Sequence, residues 1–441
     1  MENKNNFDKR RWSILLLFGL VGQIAWSVEN MYFNLFVYET ISPNLEAVTL
    51  MVQLSGVMAT VATLVAGTLS DKSGNRRSFI SWGYAIWGVT VALFGLISPE
   101  TCAYIFSVDS IKAVSIALVL VIVGDCVMTL FGSTANDASF NAWVTDNTNS
   151  SNRGTVEGVL AILPLIAMLI VAGGFGILVE LIGYGALFIS LGVIISACGV
   201  AGLFIVKDKD GLTPSGSLKD IFYGFNPSVI KENKSLYIAL SIILVYGIAC
   251  QIFMPYLIIY MKTYLGFSVI EYSVVFGLAI LLGAAVNLYL TRLSDRKDKV
   301  SMLYLAAGVF VLGLFGMYFA KGLSKTMTII LFGIAGLIMI TGYIFVSALT
   351  GSLVRDNTPV SDVGKLQGVR MVFSVLIPMI VGPMIGNYIN SLRNIPLPDI
   401  NSADAMTTAY IPAPEIFLFA AITALIMFAV IPVLRKSVKN K

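Results

Sequence analysis

Histidine is absent from all 441 residues, cysteine occurs four times, and charged residues make up only 12% of the chain. Without histidine there is no imidazole base for a Ser/His or Cys/His pair, and the commonest metal ligand is missing, which removes most hydrolase chemistry. Cys102, Cys126, Cys198 and Cys250 are widely scattered with no CxxC arrangement. They read as small packing residues, and neither a disulfide framework nor a metal clip is expected. Soluble chains carry about 25% charged residues; half that share, beside 57% apolar residues, excludes an ordinary soluble domain.

What the chain has instead is apolar length. A membrane helix needs about 20 mostly apolar residues, and candidate segments fall near 13–37, 47–69, 78–98, 115–144, 155–182 and 184–206, then near 235–262, 272–291, 300–320, 327–353, 366–391 and 414–435. The expected fold class is therefore an all-α integral membrane protein of twelve spans in two six-helix bundles. Residues 1–206 form the N-terminal bundle and 235–441 the C-terminal bundle, with a polar linker over 207–234 containing Asp208-Lys209-Asp210-Gly211 and Pro214-Ser215-Gly216-Ser217. No cleavable signal is expected, because the first apolar run is long enough to span and no cleavage site follows it.

The net charge of +4 is explained by topology. With a cytoplasmic N-terminus, only Lys112, Lys262, Lys321, Lys325 and Arg393 fall outside, leaving 24 of the 29 basic residues on the cytoplasmic side. By the positive-inside rule both termini are cytoplasmic, in the cell membrane, and no nucleic-acid partner is called for.

The halves repeat at their loops. Leu69-Ser70-Asp71-Lys72 returns as Leu293-Ser294-Asp295-Arg296, an offset of 224, and Asp146-Asn147-Thr148 returns as Asp356-Asn357-Thr358, an offset of 210. Internal repeats of this kind mark secondary transporters, in which one bundle rocks against the other around a site near the bilayer midplane.

Gly67-Thr68-Leu69-Ser70-Asp71-Lys72-Ser73-Gly74-Asn75-Arg76-Arg77 resembles the cytoplasmic signature of the major facilitator superfamily. Within it, Gln23-Ile24-Ala25-Trp26-Ser27-Val28-Glu29 and Arg76-Arg77-Ser78-Phe79-Ile80 resemble the sucrose/proton symporters, and Asp137-Ala138-Ser139-Phe140 is similar to the fourth-span segment of melibiose permeases. The resemblance implies a cation-coupled glycoside symporter, with Asp137 matching an acid of the cation site. Melibiose permeases carry paired acids on the second span for sodium. Here Val48 to Leu69 has none, so the coupling ion leans to H+ over Na+. Asn141 stands where the sucrose symporters have an arginine, and Gly173-Gly174 replaces the Gly-Pro motif of drug/proton antiporters.

Ionisable groups inside spans cost about 2.5–3.5 kcal/mol each near the centre and need a reason. Glu29, Asp125 and Asp137 are the candidates for cation coupling, Asp137 two to three turns from the cytoplasmic end. At 100° per residue, Asp125, Thr129, Ser133 and Asn136 share one face of the fourth span, while Thr134, Asp137 and Asn141 share another. A sugar site wants amides and carboxylates around an aromatic platform. Gln23, Trp26, Glu29 and Asn30 on the first span supply these, Trp26 as the stacking ring, with Asn141, Gln251 and Tyr343 as further contacts.

At the cytoplasmic face, Gly67, Asp71, Gly74, Arg76, Arg77, Asp146 and Arg153, with Asp295, Arg296, Asp356 and Arg370, form the candidate gate. Asp71 and Asp295 would each face the N-terminus of a span of the opposite half, where the helix dipole favours an anion. The expected partners are the lipid bilayer and a small-molecule glycoside, with the chain working as a monomer and without a resident cofactor. A drug exporter of the same fold is the neighbouring alternative. A membrane enzyme or a non-transporting sensor would need features the chain lacks or would leave its repeated gate unexplained.

Overall fold

The structure is a computed structural model that describes residues 7–149, 152–209, 218–294, 298–359, 366–397 and 409–439. The chain is built of long apolar helices: α1 Lys9–Ile41, α2 Leu45–Ser73, α3 Arg76–Phe94, α4 Ser110–Asn147 and a run over Thr155–Ile205. That run is 51 residues long, far more than one crossing needs. It breaks at Gly183, whose φ of 77° lies in the left-handed region that glycine tolerates. Its parts are α5 (155–182) and α6 (184–205). The second half supplies α7 Lys234–Thr263, α8 Val269–Ser294, α9 Lys299–Phe319, α10 Lys325–Asn357, α11 Gln367–Arg393 and α12 Glu415–Val438. Each predicted span thus has its helix.

Two features differ from the expected spans. The third ends at Phe94, and a short helix Pro99–Phe106, capped by Ser98, turns 90° away from α3. The linker is more regular than its polar composition suggests, because the 3₁₀ turn Leu218–Phe225 and the helix Pro227–Glu232 lie within it. Pro255 falls in a 3₁₀ turn, Met254–Tyr256, that interrupts α7, in keeping with the amide donor that proline lacks.

The chain forms two compact units. Met1–Ser42 with Val57–Leu218 make the first, and Pro43–Gly56 with Lys219–Lys441 make the second. The N-terminal part of α2 therefore groups with the second unit. There the Thr49 hydroxyl lies 2.7 Å from that of Tyr256, and the Gln53 side-chain amide donates to the Ile380 carbonyl at 2.9 Å. In the first unit α3 packs along α6 and α1 along α5; in the second, α10 packs on α8 and α9, and α7 on α11.

The repeat is visible in the helix caps. Asn75 opens α3 by accepting from the Ser78 amide at 3.0 Å, and Asp298 opens α9 by accepting from the Ser301 amide at 3.1 Å. Both pairs are three residues apart, and the offset between them is 223. Hydrogen bonds from Ser301 hold the Asp298 carboxyl below its ordinary range.

Candidate functional site

The interior of the first unit gathers most of the polar candidates, on α1, α3 and α4. Neither α1 nor α4 is a regular α-helix throughout. Glu29–Phe33 and Val37–Ile41 are π-helical turns in α1, and Ser133–Phe140 is an eight-residue π-helical stretch in α4. Such turns hydrogen-bond from i to i+5 and recur at functional sites. Here they hold Glu29 and Asp137. They also correct the expected wheel, because residues after 133 no longer advance by 100° each. Asn136 points toward α3, where its amide donates to the Tyr84 hydroxyl at 2.6 Å, and Tyr84 in turn donates to the Phe18 carbonyl at 2.6 Å.

Two acids lie near Thr129 and Cys126, one on α1 and one on α4. Thr129 donates to Glu29 at 3.1 Å, and Asp125 sits one turn before Thr129, with Cys126 beside both carboxyls. Glu29 is 8% exposed and Asp125 1%, so both lie out of solvent. Asp137 is half-buried and faces Ser133 and the Trp26 indole. These three acids are the residues proposed for coupling, and the structure sets them along one α1–α4 seam.

Trp26 packs against Trp87 of α3, ring centroids 4.9 Å apart. Trp87 is fully buried and was not legible as a site residue, since nothing local marks which face of α3 meets α1. The indoles fit because Gly132 leaves room: a Cβ there would meet Trp87 at 2.7 Å and Trp26 at 3.0 Å. Gly132→Ala is therefore expected to cost about 1–3 kcal/mol through overpacking. A lower melting temperature together with altered tryptophan fluorescence checks this, and an unchanged melt would contradict it.

The other predicted contacts are dispersed. Asn30 donates to the Trp26 carbonyl of its own helix at 2.8 Å, and Asn141 to the Asp137 carbonyl at 3.0 Å, although both side chains are exposed. Gln23 is half-buried on the same helix as Trp26. Gln251 and Tyr343 belong to the second unit. Gln251 packs on Gly382 of α11, and the Tyr343 carbonyl accepts from Tyr246 at 3.0 Å with the rings 5.6 Å apart.

At the end of the first unit where α2 turns into α3, Arg76 is the hub. Its guanidinium ion-pairs with Asp71, contacts Asp146 at 3.0 Å and donates to the Ser70 hydroxyl at 2.9 Å, with 8% of its side chain exposed. Arg77 turns instead to the end of α6, donating its amide to Asp208 at 2.9 Å and its guanidinium to the Leu203 carbonyl. Gly67 of α2 faces Ala138 of α4, and Gly74 makes the α2–α3 turn with φ 64°. Arg153 opens the helix that leads into α5.

In the second unit Asp356 pairs with Lys299 at 2.6 Å, and Lys299 also donates to Ser352 at 2.8 Å. Lys299 thus stands where Arg76 stands in the first half, at the same offset of 223 as the caps. Sequence reading missed it, although the repeated cap was a usable signal. Asp295, Arg296 and the helix start near Gly364 lie outside the described residues. Arg370 is exposed near Arg355.

The sequence profile of the Major Facilitator Superfamily matches residues 15–383. No curated protein is significantly similar to the chain. Among solved structures the chain resembles a point mutant of the nucleoside transporter NupG, with a TM-score of 0.71 and 11% identity over 96% of this chain and 99% of that one. It also resembles NupG itself, with a TM-score of 0.65, 11% identity, and coverage of 96% and 98%. A bacterial homologue of the human lysosomal transporter Spinster, in an inward-facing and unoccupied conformation, gives 0.63, with 14% identity over 97% and 98%. At these identities the likeness is one of fold.

Proposed function

The chain belongs to the major facilitator superfamily, a multi-pass membrane transporter and not an enzyme, and we propose that within it the protein is a proton-coupled symporter of a glycoside. The observation that carries this reading is the α1–α4 seam, where Glu29 accepts from Thr129, Asp125 lies one turn before Thr129, and Asp137 lies near the Trp26 indole that packs on Trp87. Carboxyls in a span are costly and earn their place by binding a proton, a cation or a polar solute. An indole beside carboxyls and amides suits a ring that has one apolar face and a rim of hydroxyls.

Protons are favoured over sodium because α2 lacks an acid over 48–69, where the melibiose permeases that the sequence resembles carry paired acids for sodium. The chain then works as a monomer in the cell membrane with both termini cytoplasmic, its two bundles alternating access to the site. The glycoside class includes nucleosides, which the similar NupG structures make worth testing by name.

The test is reconstitution into liposomes with a panel of disaccharides, simple glycosides and nucleosides under separate proton and sodium gradients. Uptake of one glycoside driven by an inward proton gradient supports the reading. Accumulation driven by sodium alone refutes the choice of ion. Transport of hydrophobic compounds with no glycoside uptake would make the protein an exporter of the same fold.

A further inference from the structure

We propose that the linker segment 218–232 is a lipid anchor, seating Phe222 and Phe225 in the headgroup boundary of an anionic membrane leaflet. In a 3₁₀ turn, residues i and i+3 eclipse one another, so Leu218–Phe225 presents two distinct rows. Ile221 and Gly224 form the first, which is pinned to the start of α11. A Cβ on Gly224 would lie 2.4 Å from Val369, one on Gly368 would lie 2.6 Å from the Ile221 carbonyl, and Tyr237 donates to the Gly224 carbonyl. Phe222 and Phe225 form the second row and are 72% and 43% exposed, followed by Ile230 at 38%.

The height of this row decides its partner. Tyr237, in the first turn of α7, and Val369, in the first turn of α11, hold Gly224 level with the starts of these two spans, which puts the neighbouring Phe222 and Phe225 at the height of the bilayer surface in this proposal. Aromatic side chains favour that boundary. The charge around them matches an anionic surface. Lys231 and Lys234 are exposed, and the Ser235 and Ser437 hydroxyls, 2.7 Å apart, bring the end of α12 alongside with exposed Arg435 and Lys436. Among the described side chains, the exposed Glu232 and Asp298, the latter near Arg435, stand against these four cations. Each basic side chain near an anionic leaflet adds attraction that salt screens. Because the same segment grips Gly368, lipid bound to Phe222 and Phe225 bears directly on the base of α11.

The experiment uses the full chain with its native cysteines replaced by alanine, and with Phe222→Cys carrying a fluorophore. Phe225→Cys serves as a second labelling site should the first variant fail to fold. In vesicles rich in phosphatidylglycerol, quenching by a headgroup-proximal spin-labelled lipid is expected to exceed that by aqueous iodide by about twofold or more, as for a ring seated in the interface. Added salt is expected to shift the balance toward iodide. Dominant iodide quenching in anionic vesicles would overturn the proposal. Self-quenching that grows with the protein-to-lipid ratio would also overturn it, by making a second copy the occupant.

Discussion

Asp137→Asn in proteoliposomes is expected to retain glycoside exchange while losing gradient-driven accumulation. Asparagine keeps the size of the protonated acid and its neutrality but cannot release and rebind a proton in the working pH range. The loaded carrier should still reorient, so counterflow persists. For one proton per solute, one pH unit is worth about 1.4 kcal/mol, hence about tenfold accumulation. The variant should forfeit that factor for each unit of gradient, while wild type keeps it. The contact geometry favours Asp137 for this test, since it is half-buried near Trp26, whereas Asp125 and Glu29, which accepts from Thr129, are out of solvent. If Asp137→Asn still accumulates solute, coupling passes to the Glu29–Asp125 side of the seam. Glu29→Gln then becomes the variant that should accumulate nothing.

How far the sequence reached depends on which forces acted locally. Apolar length is a local property, so all twelve spans could be read, and even the break between α5 and α6 fell at Gly183. The first-span motif exposed Gln23, Trp26 and Glu29 because they lie close together in the chain. Trp87 and Tyr84 could not be found in this way. Their roles come from α3 meeting α1 and α4, a tertiary fact that Gly132 permits and that no α3 pattern announces. The wheel on α4 failed where Ser133–Phe140 leaves the 3.6-residue turn. The grouping of Pro43–Gly56 with the second unit was also hidden, since α2 is one unbroken apolar helix whose partners change along its length.

Arg76→Leu is expected to destabilise the fold by about 3 kcal/mol, because breaking a buried ion pair leaves an uncompensated charge. Arg76 is 8% exposed and serves Asp71, Asp146 and the fully buried Ser70 at once. Asp71 is the more exposed carboxylate at 42%, and Asp146, at 20%, bears more of the loss. Arg76→Lys should recover only part of it, since an ammonium lacks the planar fork that reaches several partners. Pairing Arg76→Leu with Asp146→Asn should cost less than the sum of the two, the signature of a direct contact. The corresponding pair in the second unit provides the contrast. Lys299 and Asp356 are 35% and 51% exposed, so Lys299→Met should cost under about 1 kcal/mol despite the shorter 2.6 Å contact. Denaturant unfolding of the purified variants measures both. Equal losses for Arg76→Leu and Lys299→Met would mean that burial does not set the strength of these clusters, and that the two halves of the repeat hold their loops in the same way.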